Sequence, residues 1–119
     1  MGVVRFSSGL LAQFHDAFTC QYADTGFEVH GSEGSLVATN CMTQRPIGDV
    51  LLRGASGEEA LALNHENLYE RGIRRFHAAV RGEGAPSATG EDGVKSMALA
   101  FAALESARGG KSVKIETGL

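Results

Sequence analysis

Residues 90–116, GEDGVKSMALAFAALESARGGKSVKIE, decide the reading of this chain. Val94, Met97, Ala98, Phe101, Ala102 and Leu104 recur mostly three or four residues apart, which puts an apolar stripe on one side of a helix. Thr89 precedes the stretch and Asp92 follows three positions later. This spacing predicts a capping-box start, with an acid at the positive end of the helix dipole. Arg108 falls in the last turn, and Gly109-Gly110 supplies a stop. Val113 to Ile115 then reads as a closing strand. A narrow, alanine-rich stripe suits close packing on a sheet.

The segments before it supply that sheet. Val3 to Phe6, Ser7-Ser8-Gly9 and Leu10 to Phe18 predict a β-hairpin. On its second arm Leu10, Ala12, Phe14, Asp16 and Phe18 share one face, and Leu11, Gln13, His15 and Ala17 the other. A second hairpin runs from Phe27–His30 through Gly31–Gly34 to Ser35–Thr39, with its glycines expected at positive φ in the turn. A third joins Asp49–Arg53 to Glu59–Leu63 around Gly54–Gly57. After His65 the period changes. Leu68, Tyr69, Ile73, Phe76, Ala79 and Val80 carry a second helical stripe, opened by Asn67 with Glu70 three residues on. Residues 82–90 form a polar loop with Pro86. The expected fold is therefore α+β: a large, mainly antiparallel open sheet, two helices on one face and a C-terminal strand. The other face, half apolar, is expected to be covered by a partner.

With 119 residues the chain is expected to form one domain, 1–119. Its apolar content of 43%, charged content of 21% and net charge of −3 are those of an ordinary globular domain and argue against nucleic acid or an anionic membrane as a partner. Cys20 and Cys41 form no CxxC pair and are expected to be reduced in a cytoplasmic setting. The start has neither a signal-peptide layout nor a lead-in before its first strand pattern. It reads as one half of something larger.

Signals for chemistry are sparse. Gly82 and Gly84 are followed by Ser87 where a third glycine would complete GxGxxG, and no GxxxxGK[ST] exists. Gly31 to Gly34 lies between strands and reads as a turn rather than a phosphate cradle. His15, His30, His65 and His77 lack HxxxH or HxH spacing, so no metal site is expected. His15 and Asp16 are adjacent on a strand and point to opposite faces, so they do not form a simple pair. His15 is either a site-lining residue or a surface one; His30 and His77 read as solvated. Tyr22 and Tyr69 either place a phenol in a pocket at one end of the sheet or are half-buried tyrosines with satisfied hydroxyls. Arg71, Arg74 and Arg75 read as a solvated helix face.

Taken in order, these segments resemble the C-terminal domain of the Gfo/Idh/MocA family of NAD(P)-dependent sugar and polyol dehydrogenases. Phe6 to Asp16 is similar to the family's strand–glycine turn–strand opening. Phe27 to Leu36, FEVHGSEGSL, resembles its second hairpin. Gly90 to Val113 resembles its terminal helix and strand, and Tyr69 to Arg81 fits the helix before it. The resemblance implies a two-domain oxidoreductase whose N-terminal Rossmann half holds NAD or NADP and carries the catalytic lysine, with a later aspartate and histidine on a helix assisting proton transfer. None of those elements matches a residue here, so no catalytic, cofactor-binding or metal residue is expected in this chain, and the isolated chain is expected to be inactive. Tyr22 and Tyr69 match positions near which relatives place substrate-pocket tyrosines. With His15 they are the candidate substrate-binding residues, for a small sugar or polyol. The resemblance also implies a homo-oligomer built through the open sheet face. Two rival readings are a stand-alone, non-catalytic binding or assembly module, and a small α+β cavity enzyme using a buried Asp16 or Glu28.

Overall fold

The structure is a computed structural model describing residues 1–43 and 45–118. It divides into two compact units, residues 1–19 with 86–118 and residues 20–85. The first contains β1 (Gly2–Arg5), β2 (Leu11–Phe14) and α2 (Gly90–Gly109); the second contains β3 (Gly26–His30), β4 (Gly34–Thr39), β5 (Asp49–Gly54), β6 (Gly57–Ala60) and α1 (Leu68–Val80). The class is α+β, as expected, with every strand pair antiparallel.

In the first unit β1 and β2 pair with Gly2 opposite Phe14 and Val4 opposite Ala12. A Cβ on Gly2 would lie 2.5 Å from the Phe14 ring, so glycine here lets the phenyl lie across the neighbouring strand. The turn closes as Phe6 N–H donates to Leu10 O and Gly9 takes φ +91°. The second arm was expected to reach Phe18, but its ladder ends at Phe14, so His15 and Asp16 lie beyond the strand. Helix α2 begins with the expected capping box. The Asp92 N–H donates to Thr89 Oγ1 at 3.2 Å, and the Thr89 N–H to Asp92 Oδ2 at 2.9 Å. It ends at Gly110, whose left-handed φ of +61° lets its N–H reach Ser106 O. The closing strand expected at Val113–Ile115 does not form. An extended segment becomes a strand only where another strand offers a ladder, and these residues have no ladder partner among the described residues.

The second unit holds a four-stranded meander in the order β3-β4-β5-β6. The expected single large sheet is thus two sheets, one of two strands and one of four. The register places Glu28, His30, Ser35, Val37, Leu51 and Arg53 on one face, and Phe27, Val29, Leu36, Ala38, Val50 and Leu52 on the other. Val37, opposite Glu28 and Leu51 in the sheet centre, is 6% exposed and is the one buried apolar residue among the described residues. Burying a valine contributes about 1.5–3 kcal/mol. The opposite face is exposed at Phe27, Val29, Leu36 and Leu52, with Phe27 at 63%.

The β3–β4 turn departs from expectation in an informative way. Neither Gly31 nor Gly34 takes a positive φ. Gly34 is needed instead for proximity, because a Cβ there would stand 2.6 Å from the backbone oxygen of Arg53 on β5. The β5–β6 turn behaves as expected, with Gly57 at φ +114°. Helix α1 starts where Asn67 Oδ1 accepts the N–H groups of Tyr69 and Glu70 at 3.0 and 3.4 Å.

Candidate functional site

One end of the four-stranded sheet gathers three connections of the second unit. There β3 enters, β4 leaves, β5 enters, and the segment from β6 runs on to α1. Asn40, just past β4, adopts φ +52°, a left-handed conformation uncommon outside glycine and favoured by asparagine. Its N–H donates to Thr25 O at 2.8 Å, and the Met42 N–H donates to Thr25 Oγ1 at 3.3 Å. Gly48, at φ +125°, fits beneath the oxygens of Thr39 and Asn40. A Cβ there would be 3.2 Å from each. The Gly48 carbonyl in turn accepts from His65 Nε2 at 2.8 Å, across 17 residues of sequence. The connection from β6 to α1 is thereby fastened to the start of β5.

The candidate substrate-binding residues fall in both units. Tyr22 and Tyr69 lie in the second. Tyr22 is four residues before β3 and 93% exposed; Tyr69 is the second residue of α1, four residues after His65 and 61% exposed. Tyr22 thus lies in the connection into β3 and Tyr69 in the first turn of α1. Neither phenol is half-buried or hydrogen-bonded among the described residues. His15 is exposed and belongs to the first unit, one residue past β2.

Spacing did not single out His65, whose partner is remote in sequence. It also concealed the arrangement around His30. This residue is exposed as expected, yet its Nδ1 is 2.8 Å from Ser35 Oγ on the neighbouring strand and its Nε2 is 3.0 Å from Glu28 Oε2. Cross-strand pairing of His30 with Ser35 and the two-residue period from Glu28 to His30 create that row. Arg53 and Glu58 extend it with a 2.7 Å ion pair. Glu28 and Asp16 are both exposed, which removes the buried acid that a cavity enzyme would need. On α1, Arg74 and Arg71 converge on Glu66 at 2.6 and 3.4 Å rather than pointing separately into solvent. Exposed pairs of this kind contribute about 0–1 kcal/mol.

A dinucleotide requires a glycine-rich turn leading from a strand into an open helix N-terminus. Here hairpins join the strands, and the chain's own groups close both helix starts. Asp92 and Thr89 cap α2, with Glu91 beside them. Asn67 caps α1, flanked by Glu66 and Glu70. Carboxylates at those positions repel a pyrophosphate, so neither helix start offers an open anion site. No group of three or more His, Cys, Asp or Glu among the described residues is placed to hold a metal ion. No described helix is long and apolar enough to cross a membrane.

Residues 1–115 match the model of an oxidoreductase family, Gfo/Idh/MocA, described as its C-terminal alpha/beta domain. The chain is 58% identical over 119 residues to a 1,5-anhydro-D-fructose reductase of Ensifer adhaerens, covering all of this chain and 36% of that relative. It is 29% identical over 120 residues to a myo-inositol 2-dehydrogenase of Thermotoga maritima, covering 96% of this chain and 35% of that protein. The chain thus spans about a third of the length of the curated relatives it matches.

Proposed function

Because this chain belongs to the Gfo/Idh/MocA oxidoreductase family, as its C-terminal alpha/beta domain, we propose that it supplies a substrate wall and an assembly surface to an NAD(P)-dependent sugar or polyol oxidoreductase. The observation that carries this reading is the family match over residues 1–115. The names of the two relatives both denote polyhydroxylated rings, and the exposed phenols of Tyr22 and Tyr69 suit hydrogen bonding to such hydroxyls. The dinucleotide is held by a Rossmann domain outside these residues, and the chain's own part is to bind and orient. Its setting is cytoplasmic, which agrees with two free thiols.

The assembly surface is the sheet face bearing Phe27, Val29, Leu36 and Leu52. These residues are exposed together on adjacent strands, and such contiguous apolar area marks an interaction site. A second copy of the chain is its occupant. The experiment is light scattering across a concentration series, with Leu36→Glu alongside. The unmodified chain is expected to form a dimer or larger oligomer and the variant a monomer. A monomer at every concentration overturns the assembly role. In the full-length enzyme, Tyr22→Phe and Tyr69→Phe are each expected to raise KM about tenfold, the effect of losing one hydrogen bond.

A further inference from the structure

The geometry points to His65 as a further substrate-binding residue, one that presents a fixed lone pair to a hydroxyl of a neutral polyol. The inference rests on the substrate-wall reading above. A backbone carbonyl only accepts hydrogen bonds, so the 2.8 Å contact between His65 Nε2 and Gly48 O requires the proton to be on Nε2. In the neutral ring Nδ1 is then unprotonated and acts as an acceptor. The carbonyl is itself well fixed. Gly48 is held at φ +125° beneath the oxygens of Thr39 and Asn40, and Asn40 is tied back to Thr25.

The ring therefore has a defined tautomer and a defined attachment, and Nδ1 has no hydrogen-bond partner among the described residues. The exposed His65 sits between the end of β6 and Tyr69 in a connection whose backbone leads directly into α1. A hydroxyl that donates to Nδ1 leaves its own oxygen available to the tyrosine phenols, which are donors as well as acceptors. A polyol carries both capacities on every hydroxyl, which is why this mixed set suits it.

Proton-detected nitrogen NMR of the full chain, with inositol as the probe, tests the assignment. The expected result is a protonated Nε2 and an unprotonated Nδ1 on His65. Inositol is expected to shift Nδ1 and to perturb Tyr22 and Tyr69. His65→Ala should weaken inositol binding about tenfold, the loss expected for one hydrogen bond. His65→Gln, whose amide can donate to Gly48 O while its oxygen accepts, should restore most of it. A proton on Nδ1 overturns the assignment. So does a response of the tyrosines with His65 unmoved, which leaves the substrate wall standing. If no signal in the chain responds to inositol, the substrate-wall reading falls and the role of His65 falls with it.

Discussion

Gly34 and Gly31 belong to one turn but face different constraints. A methyl group at Gly34 would meet a backbone oxygen at 2.6 Å, and a ladder carbonyl cannot withdraw without losing its bond. At Gly31 the nearest atom is 3.5 Å away, an ordinary contact. Gly34→Ala is expected to destabilise the second unit by about 1–3 kcal/mol, as overpacking does. Gly31→Ala should stay within about 0.5 kcal/mol. Urea midpoints of the two variants check this, and equal midpoints would refute the steric account. The sequence marks both residues as turn glycines, because turn composition is local information. It does not reveal that one of them faces a strand some twenty positions later. The His65–Gly48 bond was hidden for the same reason: nothing within a few residues of His65 indicates a carbonyl so far away in the chain. Tyr22 and Tyr69 were visible in the sequence as possible pocket phenols, and the family resemblance made them substrate-binding candidates; their exposure required the structure.

The helix caps were the most legible elements, because each is complete within four residues. Asn67→Ala removes the acceptor for two backbone N–H groups and is expected to cost about 1 kcal/mol, measured as a lowered thermal midpoint. At α2 the Asp92 carboxyl titrates below the usual carboxylate range. The backbone hydrogen bond from Thr89 contributes most, then that residue's hydroxyl, with Lys95 adding a favourable charge against a small burial effect. The depressed value means that the cap's contribution is present above the unfolded-state value and lost as pH falls through the folded one. Circular dichroism should therefore show α2 fraying on acidification, and Asp92→Asn should remove that pH dependence. An unchanged acid profile in the variant would show that the cap is not the titrating element. Strand ends were less legible. The residue pattern continues to Phe18 and resumes at Val113, but whether a segment joins a sheet depends on a partner edge that its own residues do not encode.

At the scale of the whole molecule, both helix starts among the described residues are closed by the chain's own side chains. Fluorescence titration of the chain with NADH is expected to show no saturable binding, and micromolar binding would contradict the assignment of the cofactor to another domain. The order of the two units has a separate kinetic consequence. Residues 20–85 are continuous and their strands pair only with sequence neighbours, whereas the other unit joins residues 1–19 to residues 86–118. Nearest-neighbour hairpins close short loops and form quickly, while joining remote ends carries a larger entropic cost. On the ribosome the meander can therefore mature while the rest is still being made.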